Sequence, residues 1–309
     1  MTVQISVIIC TYGHSRYLHS AIESVINQTL LPEFYEIIIV NGNNQNALDL
    51  EIKDLKKFPN LIIITESRPG LSAARNEGCR SAKGKFIVFM DDDAIADINW
   101  LSNIQSTFLH YSEEIEAVGG KIEPLWEDRR PDWLSDELLS GLSLLDFGES
   151  NLILNPDQFL YGTNMAFRRS VLLKLNGFNE NLGRKGKVLL SNEEIYLQKK
   201  INESGGLRLF NPEIKVMHHI PTERLTKEWF IKRYYWQGIS DAVLKTIEEN
   251  PPWGRKIFNI TIKIVSLLIS PKDIQGLLLL KDNDKKFKEQ CFAYTKLGKI
   301  VGSMTKLKF

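Results

Sequence analysis

The sequence predicts an α/β protein built from βαβ units, and three observations carry that prediction. Short apolar, β-branched runs recur through the first third of the chain, and stretches with apolar residues at helical spacing separate them. The polar and acidic residues that break the pattern fall just past the ends of the runs.

The runs are residues 5–10, 36–40, 61–65 and 86–90. Each is apolar almost throughout, as a strand buried on both faces of a parallel sheet requires. Between the first two, Leu18, Ala21, Ile22, Val25 and Ile26 repeat at the 3.6-residue period of an amphipathic helix, and residues 50–58 and 71–82 read as the next two helices. Right-handed crossovers then align the carboxyl ends of the strands along one edge, where ligands of open α/β sheets bind. Thr11, Asn41, Glu66 and Asp91 to Asp93 are expected in that crevice. Further along, the pattern predicts a helix over 100–111, a strand over 117–122, a long connection with short helices over 124–156 and a strand over 162–167. Helices over 169–175 and 192–204, a strand over 207–210 and a helix over 226–250 follow. Residues 257–269 are the most apolar segment, but Asn259, Thr261 and Lys263 interrupt it and it falls short of the roughly 20 residues a spanning helix needs. With residues 274–280 and the flanking lysines it fits a helix pair lying on a membrane surface, or else a packed hairpin covering the α/β body.

Composition bounds the class. The chain has 309 residues, 39 Lys+Arg against 38 Asp+Glu and 43% hydrophobic residues. That excludes disordered, collagen-like and disulfide-scaffold classes, and the length suits one large or two modest domains. Cys10, Cys79 and Cys291 are odd in number and far apart, so they form neither a disulfide framework nor a zinc pattern, and a reducing compartment is expected. The N-terminus has no basic stretch leading into an apolar one and reads as a first strand, not a secretion signal. The even charge hides a split: residues 255–309 carry 12 basic and 4 acidic residues, and residues 1–254 carry 27 and 34. An anionic surface is the expected partner of the tail, with a solvated Lys-rich helical face as the alternative.

Chemistry concentrates in four places. Asp91-Asp92-Asp93 follows a buried strand, and adjacent carboxylates need a cation or a hydrogen-bond network to offset their repulsion. In extended backbone Asp91 and Asp93 share one side and Asp92 takes the other, so an Asp-x-Asp pair suits a hard divalent ion bridging a diphosphate. The alternative is an acidic loop capping the next helix, for which Asp97 or Asn99 is better placed. The segment from Gly70 to Gly78 opens as a helix start and places Arg75 one turn in, near the crevice, where it can neutralise phosphate. Glu193-Glu194 starts a helix, either as functional carboxylates or as acids complementing its dipole. His218 and His219 point to opposite faces of a strand, and His218 is the one expected at the crevice. Trp229, Tyr234, Tyr235 and Trp236 in the helical segment read mainly as packing, with sugar stacking as the alternative.

Taken in order, residues 8–12, 36–41, 70–78, 91–93, 162–167 (Gly-Thr-Asn-Met-Ala-Phe), 177–178 and 193–194 resemble family 2 glycosyltransferases of the GT-A fold, over residues 3–240. The resemblance implies a GT-A catalytic domain at 1–222, a mixed sheet flanked by helices, and a C-terminal helical, basic, membrane-associated segment at 223–309. It implies inverting transfer from a nucleotide-diphospho-sugar of UDP, GDP or dTDP type to a glycan or lipid-linked acceptor in polysaccharide biosynthesis, with Mn²⁺ or Mg²⁺. Thr11, Tyr12, Asn41, Arg75, Asp91 and Asp92 would bind the nucleotide sugar, and Asp91, Asp93 and His218 the metal. Glu194 would be the general base, beside Glu193. The chain departs from the family pattern at Asn41, where Asp is common, and at Gly13-His14, where Asn-Arg often follows Thr-Tyr. The alternative function is a catalytically silent GT-A domain serving as a sugar-nucleotide-binding or scaffold subunit. The expected location is cytoplasmic, peripheral on the inner face of the cell membrane with an anionic lipid surface as partner. Nucleic acid is not expected, because the tail lacks interleaved aromatic and basic residues.

Overall fold

Strand formation follows burial from the first element. In the computed structural model, which describes residues 2–12, 15–42, 52–186, 188–278 and 284–305, strand β1 (Ile5–Thr11) is buried at nearly every position. Helix α1 (Leu18–Ile26) turns Leu18, Ala21, Ile22 and Val25 inward. Then come β2 (Tyr35–Asn41), β3 (Leu61–Thr65), α2 (Leu71–Ser81) and β4 (Phe86–Asp91). Strand β1 runs parallel to both β2 and β4, and β2 parallel to β3. The register sets Thr11 opposite Asn41, Asn41 opposite Thr65, and Cys10 opposite Asp91, so the carboxyl ends form one edge.

The helix expected over 50–58 is not formed in its described part. Residues 50 and 51 lie outside the described residues; from Ile52 the chain makes turns and a 3₁₀ turn at Leu55–Lys57. Leu55 and Phe58 donate to carbonyls three residues back, and Pro59 disfavours helical backbone at Phe58.

Next are β5 (Ala94–Ala96), α3 (Trp100–His110), β6 (Ile115–Gly119) and β7 (Ile122–Trp126). The single strand expected over 117–122 is thus two. It breaks at Gly120, where an added Cβ would stand 2.0 Å from the Ile214 carbonyl oxygen and 2.2 Å from that of Asn211, so only glycine passes. The chain then supplies β8 (Leu152–Ile153), β9 (Met165–Arg168), α4 (Arg169–Lys174), α5 (Glu193–Glu203), β10 (Leu207–Phe210) and β11 (Val216–Ile220). Strand β9 starts later than the expected residue 162, because the Asn164 N–H closes a turn onto the Tyr161 carbonyl at 2.9 Å.

The larger sheet has the order β3-β2-β1-β4-β9-β6-β10-β8, with β9 antiparallel to both β4 and β6. A smaller sheet has the order β5-β11-β7. Buried Asn164 links their connections: its Nδ2 donates to the carbonyls of Lys121 (3.0 Å) and Ile214 (2.8 Å), and its Oδ1 accepts from Trp100 Nε1 (2.9 Å).

The chain forms two compact units. The first, Met1–Leu125, Ser143–Glu180 and Glu193–His219, contains the larger sheet. The second takes Trp126–Leu142 and Asn181–Asn192 together with Ile220–Phe309. It contains α6 (Lys227–Glu249), α7 (Trp253–Ile269), α8 (Pro271–Leu278) and α9 (Phe287–Met304). Of the expected segment 274–280, residues 279 and 280 lie outside the described residues. Helices α6 and α9 meet backbone to backbone at glycines: an added Cβ would lie 2.1 Å from the Tyr235 carbonyl oxygen at Gly298 and 2.0 Å from that of Thr295 at Gly238. Trp133 packs edge-on against Phe230 and Phe287, at 5.3 and 4.9 Å between centroids. Of the aromatic run, Tyr234 is buried in the same unit and Trp229, Tyr235 and Trp236 are half-buried.

Candidate active site

Strand β4 ends at Asp91 and the chain turns through Asp92 and Asp93 before β5. Strand alternation therefore stops at Asp91, and the three carboxylates go to three different partners. Asp91 Oδ2 accepts from Thr163 Oγ1 at 2.7 Å, and its Oδ1 faces Arg75 Nη2 at 3.5 Å. Asp92 Oδ2 accepts from Thr11 Oγ1 at 2.6 Å. Asp93 Oδ1 lies 3.1 Å from Nε2 of buried His218. The expected side-by-side pairing of Asp91 and Asp93 thus differs from the structure, in which Asp93 pairs with the histidine and Asp91 with Arg75 and Thr163. The two histidines diverge as strand alternation requires: His219 stacks on Tyr17, centroids 4.2 Å apart.

Among the described residues no group of three or more His, Cys, Asp or Glu side chains is arranged to hold a metal ion. Asp93 and His218 do offer a carboxylate oxygen and an imidazole nitrogen. Their 3.1 Å separation matches neighbouring ligands of an octahedral ion at about 2.0–2.1 Å. Such an ion completes its shell with substrate phosphates and water.

Arg75, on α2, is 3% exposed and donates from Nη1 to Glu193 Oε1 at 2.7 Å. Burial opposes its charge, but the carboxylates of Glu193, Asp91 and Glu194 outweigh it and raise the arginine's pKa further. The guanidinium carbon stands 5.8 and 5.5 Å from the ring centroids of Phe89 and Phe178. Position 162 must be glycine for this arrangement, because a Cβ there would lie 2.2 Å from Arg75 Nη2.

Glu193 and Glu194 open helix α5. Their carboxylates differ in one respect: Glu193 is ion-paired to Arg75, and Glu194 has no such pair among the described residues. Glu194 keeps some exposed surface, and the Oε2 atom of each glutamate is buried without a hydrogen-bond partner among the described residues. Burial first, and the neighbouring Glu193 charge second, push the Glu194 pKa up to about 8, with Arg75 opposing. Gln198 ties α5 to the turn before β9, exchanging hydrogen bonds with the Leu160 backbone at 2.8 Å each way.

Thr11 and Asn41 are buried at the strand edge, and Tyr12 is 70% exposed. Gly13 and His14 lie outside the described residues. Glu66 is held by Arg68 at 2.6 Å, which lowers its pKa. Sequence reasoning did not assign roles to Gly162, Thr163 or Gln198. The signal for the first two was present, in the Gly-Thr-Asn run, but their partners lie in other elements.

Residues 6–175, more than half of the chain, match the profile of glycosyl transferase family 2. The chain belongs to glycosyl transferase family 2. It is 30% identical over 248 residues to the glucosyl-dolichyl phosphate glucuronosyltransferase of Haloferax volcanii, covering 78% of this chain and 77% of that protein. A second relative, the minor teichoic acid biosynthesis protein GgaB of Bacillus subtilis, is 35% identical over 188 residues, which is 60% of this chain but 20% of that protein. Among solved structures, the mannosyltransferase PcManGT of Pyrobaculum calidifontis, in complex with GDP-Man and Mn²⁺, superposes with a TM-score of 0.63 at 16% identity, covering 97% of this chain and 88% of that one. The fold of this family 2 glycosyltransferase is therefore GT-A, as the sequence implied, with a C-terminal helical region.

Proposed function

We propose that this glycosyltransferase is an inverting, metal-dependent enzyme that moves a sugar from a nucleoside-diphosphate donor to a hydroxyl of a glycan or lipid-linked acceptor in polysaccharide assembly. The observation that carries the reading is the division of labour between two adjacent glutamates. Glu193 is neutralised by Arg75 at 2.7 Å, and Glu194 is left without an ion pair among the described residues and with its pKa raised. A general base works best with a pKa near the operating pH, and burial together with the Glu193 charge moves Glu194 toward that range.

In the proposed reaction Glu194 takes the proton of the acceptor hydroxyl as its oxygen bonds to the anomeric carbon. The bond from that carbon to the diphosphate breaks on the opposite side of the ring, and the configuration inverts. Negative charge grows on the departing diphosphate, and buried Arg75 contributes a fixed positive charge beside it. Asp93 and His218 are the residues to hold a divalent ion, Mn²⁺ or Mg²⁺, which supplies Lewis-acid stabilisation to the same leaving group. Thr11, Tyr12 and Asn41 are assigned to the nucleoside, and Asp91 and Asp92 to orienting Arg75 and Thr11. The name of the Haloferax relative, which acts on a dolichyl-linked glucose, supports a lipid-linked acceptor here.

The test is turnover of UDP-, GDP- and dTDP-sugars with Mn²⁺ by the full chain and by Glu194→Gln. The variant is expected to lose about 10²–10⁴-fold in rate while keeping its fold. Undiminished turnover by the variant would remove Glu194 from the chemistry.

A further inference from the structure

We propose that helix α7 docks the chain on an anionic lipid surface, lying in the plane of the interface. The helix is apolar on more than one side: part of its apolar surface packs inward, and a second apolar side is left in water. Its apolar stripe, Trp253, Ile257, Phe258, Ile262, Val265 and Leu268, is turned outward, with Phe258 and Leu268 each 64% exposed. Its half-buried side carries Lys256, Asn259 and Lys263 together with Ile260 and Ile264, and Leu267 is buried. Lys263 reaches Ser303 Oγ at 2.7 Å, and burial lowers its pKa. Leu278 of α8, 76% exposed, adds to the apolar surface of this unit.

Charge selects the occupant. Helix α7 has no acidic residue; Arg255 is exposed beside the apolar stripe and Lys256 half-exposed at the same end, and Lys263 is turned to Ser303. A second copy meeting it through a two-fold contact would bring these like charges together. Anionic headgroups meet them with opposite charge while the acyl region takes up the apolar stripe. The helix lies on the membrane and does not cross it: no helix among the described residues is long and apolar enough to span. This inference goes beyond the transfer chemistry, and adds that the chain is concentrated on the surface where a lipid-linked acceptor resides.

The test is cosedimentation of the full chain, without donor or metal, with vesicles of phosphatidylglycerol in phosphatidylcholine or of phosphatidylcholine alone, at low and high salt. Binding is expected to anionic vesicles and to weaken with salt. Arg255→Glu should weaken it about fivefold or more, at about 1 kcal/mol per basic residue near the surface. Phe258→Ser with Ile262→Ser should weaken it at least about tenfold, from the apolar area removed. These side chains are exposed, so both variants should keep the wild-type far-UV circular dichroism. A wild-type chain that stays in the supernatant with anionic vesicles overturns the proposal, as does undiminished binding by the double serine variant. So does a dimer in sedimentation velocity that the serine variant dissociates without any vesicle binding. Because the readout contains no donor, its failure would leave the transferase reading standing, and that reading fails only on turnover.

Discussion

Gly162→Ala tests the packing that orients Arg75. A methyl group at position 162 meets Nη2 at 2.2 Å, Cζ at 3.1 Å and Nη1 at 3.3 Å, so the guanidinium must retreat by about 1 Å or more to reach ordinary contact. A surface arginine would swing aside at little cost. This one is held by Glu193 at 2.7 Å, faces Asp91 at 3.5 Å and lies beside the Phe89 and Phe178 rings. Overpacking of this kind costs about 1–3 kcal/mol. If the methyl separates Arg75 from Glu193, the cost approaches the roughly 3–5 kcal/mol of a broken buried ion pair. Thermal melts should register a fall of about 2–4 °C for each kcal/mol in a domain of this size. A double-mutant cycle with Arg75→Met identifies the cause: with the guanidinium gone the methyl has nothing to strike, so a coupling of about 1–3 kcal/mol is expected. Equal costs in both backgrounds, or a cost below about 0.5 kcal/mol in the wild type, would refute the account.

In the wild type, kcat/KM should rise with pH along a limb near the Glu194 pKa of about 8, and Glu194→Gln should abolish that limb. The same shift has a stability consequence. The folded-state pKa is raised above the ordinary 4.5, so the stabilisation from protonated Glu194 is full below that value and is lost as pH climbs toward 8. The wild type should therefore lose stability relative to the glutamine variant between melts at about pH 5 and about pH 9. Asp93→Ala and His218→Ala should each remove the thermal stabilisation given by Mn²⁺ with a nucleoside diphosphate; calorimetric Mn²⁺ binding unchanged in both would exclude this pair as ligands. Gly298→Val should separate α6 from α9, since its Cβ would meet the Tyr235 carbonyl oxygen at 2.1 Å and a backbone oxygen cannot rotate away. The control Gly254→Ala, with nothing within 4 Å, should be neutral or gain up to about 1 kcal/mol in chemical denaturation.

What the sequence disclosed, and what it hid, follows from the range of the interactions involved. Strands β1, β2 and β4 were legible because each is buried on both faces, and the half-buried edge strand β3 because its apolar run is unbroken, so that local composition carried the signal. At residues 117–122 the Gly119-Gly120-Lys121 interruption was a local break signal left unread, and the close approach of the Ile214 and Asn211 carbonyls is why glycine stands there. At Asp91 to Asp93 the strand period was applied two residues too far, and the turn that follows sends each carboxylate to its own partner. Glu193 and Glu194 are the same residue type at adjacent positions; what separates them is Arg75, from a distant part of the chain. The stripe on α7 could be read from periodicity, but its outward direction depends on what the opposite face packs against.

Asn164 bears on a different property, the lifetime of the folded site. Its three hydrogen bonds join residues 43, 50 and 64 positions away in sequence. Contacts that distant close large loops, and a latch made of them can close either in the folding nucleus or after it. An interaction absent from the transition state does not set how fast the chain folds; it sets how slowly it unfolds. One carbonyl it holds belongs to Ile214, two residues before the strand that carries His218. With this amide as a latch that closes last, Asn164→Ala should speed unfolding more than it slows folding in stopped-flow chevrons; the opposite partition would place it in the nucleus.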